Sequence, residues 1–356
     1  MRYWLTKQTK QTMKNKLLSL AGLLAAFNLN AVEIGPTGSG IELSGFIDLA
    51  GQKQGADSES SVVGQVEIQL DFSSGPVSAS VDFDLYDGGS QTVTYLGADG
   101  AVGGVGANAD STYDVTDGDS ALEEAVVTYD LGNGLSVSAG KMLTYMGFEA
   151  YDPTDMYQFS YAYDIGFQDG YTGAQLIYDA YDVGVSVDYG TDDFSIGVWS
   201  SMEADAGYEL ALAYTGIENF TAKAIFSDFS APTTGAYEKS TFWVSYQMDK
   251  LLVAAEVAEN DQADAGESDV DGYLFMANYA MTDSSAITLR YSGIEITGAT
   301  NETIVYEGTK FTISPSYVFN DNFSGLVEYS AYDSDVVTGT LVEPEELIAV
   351  EVIYTF

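Results

Sequence analysis

The side chains able to do chemistry in this sequence are carboxylates and little else. Asp and Glu number 54 against 12 Lys plus Arg, with no His and no Cys. Without His there is no imidazole base for a Ser-His-Asp or Cys-His centre and no His-ligated zinc; without Cys there is no thiolate nucleophile, disulfide or iron–sulfur cluster. No enzyme is expected, because most familiar hydrolase and redox sites rely on these groups. A formal charge of −42 repels phosphate backbones and excludes a nucleic-acid partner. Acids in this number can draw cations toward a surface or a channel and repel anions. A hydrophobic fraction of 46% and an aromatic fraction of 13% are too high for a solvated acidic chain, so the acids sit on a structure that also buries or lipid-faces much apolar surface.

What positions the acids is alternation. Val66, Ile68, Leu70 and Phe72 interleave with Gln65, Glu67, Gln69 and Asp71, and Val77, Ala79, Val81, Phe83 and Leu85 interleave with Ser78, Ser80, Asp82 and Asp84. Such spacing sends an oily stripe to one face of a β-strand and a charged stripe to the other. Sixteen segments of this kind run from Ile41–Ala50 to Leu347–Phe356, among them Leu176–Tyr189, Thr241–Met248, Ile287–Tyr291 and Phe311–Phe319. The phase shifts near Asp182, which leaves a bulge or an extra hairpin open, and with it fourteen or eighteen strands. Short polar turns such as Ser73-Ser74-Gly75 and Gly132-Asn133-Gly134 separate every second pair, and the intervening connections are longer and acidic. The predicted fold is all-β: one closed antiparallel transmembrane β-barrel over 32–356, with short periplasmic turns and long extracellular loops.

Residues 1–31 read as a secretory signal peptide. Arg2, Lys7, Lys10, Lys14 and Lys16 precede an apolar run from Leu17 to Phe27 and a small residue, Ala31. A soluble sandwich would turn the apolar stripes inward; a membrane barrel turns them to lipid and surrounds water with the polar ones. The side-dependent loop lengths, the Tyr near strand ends and the last segment favour the barrel. Its stripe Ile348, Val350, Val352, Tyr354, Phe356 ends on an aromatic and resembles the C-terminal signature by which the barrel-assembly machinery recognises outer-membrane proteins, with Tyr354 and Phe356 as the assembly signal.

On this reading the lumen carries Glu42, Asp48, Glu67, Asp71, Asp82, Asp84, Glu124, Asp130, Asp188, Glu209, Glu256, Glu328 and Glu351 against Lys223 and Arg290. Acidic rings in a low-dielectric wall predict a cation-preferring pore; the alternative is a hydrated face with no selective consequence. Trp199, Trp243 and Tyr86 also point inward by parity.

The stretch "EEAVVTYDLGNGLSVSAGK" (Glu123 to Lys141), then "GFEAYDPTD" (Gly147 to Asp155) and "FSYAY" (Phe159 to Tyr163), is similar to the OmpL-type family of Gram-negative outer-membrane porins. The resemblance implies passive diffusion of ions and small hydrophilic solutes across the outer membrane, with surrounding lipid, no cofactor and a homotrimer. It also implies that the loop after the fifth strand, Met142 to about Gly170, folds inward, making Glu149, Asp152 and Asp155 constriction residues opposed by Lys223 and Arg290. An outward loop packed on its own aromatics is the other reading. Parity places Lys141 on the lipid face, which points to a rim position or a bulge. Asp114, Asp117 and Asp119, and Asp264, Glu267, Asp269 and Asp271, are spaced loosely like calcium loops; no metal site is assigned, and Ca²⁺ or Mg²⁺ at these loops is a secondary reading to solvated acids. The alternative function is a non-conducting outer-membrane or secreted acidic β-protein with an adhesive or structural role.

Overall fold

A chain that alternates oily and charged residues must lay both stripes along extended backbone, and in hydrocarbon every strand edge must find a partner, which only closure provides. The computed structural model describes residues 31–36, 38–55, 60–87, 122–143, 145, 147–150, 152–165, 167–168, 171–172, 181–202, 206–231, 235–262, 269–298, 303–336 and 346–356. Sixteen strands build the wall: β1 Ile41–Gln54, β2 Ser61–Ser74, β3 Val77–Asp87, β4 Leu122–Gly132, β5 Leu135–Leu143, β6 Tyr181–Gly190, β7 Phe194–Ser201 and β8 Ala206–Tyr214 form the first half. The second half is β9 Phe220–Ala231, β10 Gly235–Met248, β11 Leu251–Gln262, β12 Asp269–Ala280, β13 Ser285–Gly298, β14 Thr303–Asn320, β15 Phe323–Val336 and β16 Leu347–Thr355. Each pairs antiparallel with its neighbours in sequence, and β16 returns to β1 from Leu347 opposite Gln54 to Thr355 opposite Phe46. Phe356 extends the seam by exchanging backbone hydrogen bonds with Gly45 at 3.0 and 3.1 Å. The two-residue strand Val32–Glu33 pairs with the start of β1.

The oily stripes face outward: Leu49, Val187, Val198, Phe226, Phe242, Val257, Phe275, Leu289, Val327, Ile348 and Val350 are all exposed on the outer surface. Asp48, Glu67, Asp82, Glu209, Glu256, Glu328 and Glu351 are buried on the inner one. Near the short turns a ring of exposed aromatics, including Tyr129, Tyr189, Phe194, Tyr214, Tyr246, Tyr279, Tyr317 and Tyr354, marks one membrane boundary. A second belt of Tyr208, Phe226, Phe242, Phe275, Tyr291, Phe311 and Tyr329 belongs to β8–β15. Beyond that belt, Glu259, Asp271, Glu295 and Glu307 lie directly opposite one another in register across β11–β14.

Several strands run further from the short turns than their alternation indicates. β10 begins at Gly235 rather than Thr241, β13 ends at Gly298 rather than Tyr291, and β14 begins at Thr303 rather than Phe311. These extensions absorb much of what reads as loop, leaving only residues 232–234 and 299–302 as connections there, whereas 88–121 and 144–180 remain long. β6 begins at Tyr181, beside the phase shift near Asp182, and residues 176–180 of the expected strand lie outside the described residues. The signal-peptide stretch 1–30, the acids Asp114, Asp117, Asp119, Asp264 and Glu267, and the side chain of Tyr86 lie outside the described residues.

Candidate functional site

The segment after β5 enters the barrel and docks on its inner wall. Tyr145 comes first, over β6–β9: its N–H donates to Glu209 at 2.8 Å, its hydroxyl to Asp188 at 2.6 Å, and its carbonyl accepts from Lys223 Nζ at 3.2 Å. Burial, then the negative Asp188, pushes the Tyr145 phenol above its ordinary range. A Cβ on Gly197 would stand 2.7 Å from the Tyr145 hydroxyl, so a larger residue there would block the seat.

Further on, the segment is held by a charge-balanced knot. Arg290 Nη1 donates to Glu149 at 2.5 Å and to the Ser160 carbonyl at 2.6 Å, and its Nη2 reaches the Tyr161 carbonyl at 3.2 Å. Glu149 also accepts from Gln158 Nε2 at 2.7 Å and from the Ala162 N–H at 2.6 Å, making it the hub about which the loop folds. Lys310 Nζ donates to Ser160 Oγ at 2.5 Å and to the Tyr161 carbonyl at 3.0 Å, and Ser160 donates its hydroxyl and its N–H to Glu328. Two cations and two carboxylates are thus buried together: Arg290 is 1%, and Lys310 and Glu328 are 0% exposed.

Apolar packing completes the dock. Phe148, Ala162, Tyr163 and Ile165 of the loop join Trp243, Leu274, Met276, Ile294, Ile296 and Tyr306 of β10–β14 in one buried cluster. These wall residues face inward, where a water-filled barrel would otherwise carry polar groups, and the loop is what covers them. Burying Phe148 and Ile165 stabilises the docked loop by about 1.5–3 kcal/mol each. Ile165 fits because Gly308 lies beneath it; a Cβ there would stand 2.8 Å from its side chain.

A third contact is made on the opposite wall. The loop's single turn of 3₁₀ helix, Pro153–Asp155, follows Asp152, and a carboxylate oxygen of Asp152 lies within 4.8 Å of one each from Glu67 in β2 and Glu123 in β4. Burial and the adjacent Glu123 push Asp152 up to about 7, and burial also raises Asp155.

The constriction residues named from sequence therefore separate. Glu149 and Arg290 meet as an ion pair beneath the loop instead of facing each other across water, because the loop lies over Arg290. Lys223, 6% exposed, also serves as a loop anchor, while Asp152 turns to the β2–β4 wall. Of the lumen acids, Asp48, Glu67, Asp82, Glu328 and Glu351 are buried; Asp71, Asp84, Glu124 and Asp188 are half-buried. Glu42 and Asp130 are exposed near the short turns, where Asp130 accepts from the Gly132 N–H at 2.7 Å. Trp199 and Trp243 face inward but are covered, Trp199 tilted against Phe229 and Trp243 edge-on to Phe148. Lys141 donates to the Leu122 carbonyl at 2.8 Å at the far end of β5, a rim position.

Sequence reading misses Lys239, Lys310, Ser160 and Glu123. Lys310 falls one residue outside the expected strand, though extending the alternation of β14 backward would have put it inside. Glu123 is turned inward by a bulge where β3 and β4 slip register between Asp82 and Phe83.

The fold is shared with outer-membrane porins of known structure. OmpT of Vibrio cholerae, an outer-membrane protein, superposes with a TM-score of 0.61 at 15% identity, covering 91% of this chain and 100% of its own. An in-vitro folded trimer form of the same protein gives 0.61 at 15%, covering 89% and 99%. The anion-selective porin of Comamonas acidovorans gives 0.56 at 11% identity, again covering 89% and 99%. The sequence matches none of the curated proteins. Residues 42–356 match the family described as "Putative beta-barrel porin-2, OmpL-like", and the chain belongs to it: an outer-membrane β-barrel of porin type.

Proposed function

We propose that the barrel passes ions and small hydrophilic solutes by passive diffusion and prefers cations. The observation that carries this is which charges remain in contact with water. Lys223, Lys239, Arg290 and Lys310, the inward-facing cations, are each at most 7% exposed. Glu42, Asp71, Asp84, Glu124, Asp152, Asp155 and Asp188 retain more surface. The field felt by a passing solute is then set by the carboxylates that retain surface within a low-dielectric wall, which concentrates cations and depletes anions. An anion-selective porin shares the fold, so the barrel alone does not set the sign of selectivity, and the exposed charge is what supports a cation preference here.

A homotrimer is part of this reading. Among the described residues the second aromatic belt lies on β8–β15, while exposed outer positions on β1–β6 include the aliphatic Leu49, Val62, Leu85, Val127 and Val183, a surface suited to protein contact. The test of function is single-channel recording of purified protein across a KCl gradient. A reversal potential of cation sign is expected; the anion sign defeats the preference, and absence of conductance defeats the pore in favour of a non-conducting surface barrel.

A further inference from the structure

The two ends of the docked loop are treated differently. At Glu149 the buried charges cancel, two carboxylates against Arg290 and Lys310. At Asp152 they do not. Glu67 is 6% exposed, and Glu67 Oε2, Glu123 Oε2 and Asp152 Oδ1 are all buried without a hydrogen-bond partner. The neighbouring charges make this worse: Asp82, Asp84 and Asp155 add to the field at Asp152. Lys141, the cation near Glu123, directs its ammonium to the Leu122 carbonyl. Glu67 and Glu123 meet closely enough to share one proton in a hydrogen bond; beyond it these carboxylates face other carboxylates, a costly burial that a cation in place of that proton would relieve.

We propose that Glu67, Glu123 and Asp152 form a calcium site that fastens the inward loop to the β2–β4 wall. The donor set is oxygen only, which suits a hard divalent cation. Calcium–oxygen distances of about 2.3–2.6 Å place first-shell oxygens up to roughly 5 Å apart, whereas magnesium requires about 2.0–2.1 Å and a spread nearer 4 Å. The three oxygens lie within 4.8 Å of one another, inside the span of a calcium shell. Glu67 and Glu123 stand on adjacent parts of a rigid wall and Asp152 on the loop, so one ion would bridge an immobile element and a docked one. Since the ion would offset charge in the lumen, external calcium would also weaken the cation preference; that consequence alone rests on the proposed conduction.

The test is calorimetric titration of the folded, detergent-solubilised protein, stripped with EDTA, using CaCl₂ and then MgCl₂. Wild type is expected to bind one calcium per chain, with magnesium at least tenfold weaker. Asp152→Asn and Glu123→Gln should each weaken calcium at least tenfold, while Asp271→Asn, an exposed acid on β12, should leave it unchanged. Migration before and after boiling establishes that each variant is folded, and either loop-site variant suffices if the other fails to fold. No saturable calcium binding, affinity unaltered by both substitutions, or weak binding common to all variants including Asp271→Asn overturns the proposal. A channel that conducts without binding calcium sinks this site and leaves the pore standing; calcium binding in a barrel without conductance does the reverse.

Discussion

Arg290→Met is the sharpest test of how the loop is held. The guanidinium is 1% exposed and donates to Glu149, to the Ser160 and Tyr161 carbonyls and, at 3.3 Å, to Thr312 Oγ1. Removing it leaves the Glu149 carboxylate buried with only the Gln158 and Ala162 donors, and breaking a buried pair from one side costs about 3–5 kcal/mol. At 1.36 kcal/mol per decade, that lowers the docked-to-undocked ratio of the loop roughly 150- to 5000-fold. Glu149→Gln in the same chain removes the stranded charge, so the double variant should recover at least about 2 kcal/mol relative to the sum of the singles. The assay is a double-mutant cycle on the temperature at which the folded band is lost, with single-channel records of each variant. Arg290→Met should give larger, noisier openings, and the double variant should return toward wild type. Additive singles, or unchanged openings in Arg290→Met, would refute the claim that this pair fastens the loop.

Other substitutions probe the remaining contacts. Gly308→Val displaces Ile165 and should loosen the loop by about 1–3 kcal/mol, read as new protease cleavage between 145 and 165 in the folded protein. Glu124→Gln combined with Asp84→Asn should move the KCl-gradient reversal potential toward zero with little change in thermal stability. Deleting Phe356 removes both seam hydrogen bonds to Gly45 and should sharply reduce the folded fraction recovered in membranes; Gly45→Val should do likewise, since a Cβ there meets the Glu67 carbonyl at 2.3 Å and the Phe356 ring at 2.8 Å. Lys141→Met should change stability by no more than about 1 kcal/mol, as expected of a rim lysine; stabilisation by about 2–4 kcal/mol would place it at mid-membrane instead.

Strand number and the facing of each stripe are legible from spacing because period two is a local property that lipid on one side and polar lumen on the other both enforce. Strand ends are less so. The outer parts of β13 and β14 carry Glu295 and Glu307 on their exterior face, so the oily stripe stops while the hydrogen-bonded ladder continues, and a pattern keyed to oil ends too early. The loop's inward path has a signal that composition hides: Val270, Leu274 and Met276 on β12, and Ile294 and Ile296 on β13, are apolar at inward parity, so these strands are oily on both faces and require an internal cover. Which partners the loop takes is not written in spacing. Glu149 with Arg290, and Ser160 with Lys310, are 141 and 150 residues apart. Glu123 escapes parity for a different reason, because a one-residue slip in pairing reverses the direction of a side chain.

The row Glu259, Asp271, Glu295, Glu307 sets a waterline. Carboxylates facing one another on adjacent strands repel by only about 1 kcal/mol per pair in water at 4 Å, but several times that where the dielectric falls. The β11–β14 side of the cylinder therefore cannot sink past this line, while the ring at Tyr246, Tyr279 and Tyr317 keeps the opposite end from rising. Between two such stops the protein floats at one height, and the loop contacts at Arg290 and Asp152 are held at a constant depth within the bilayer.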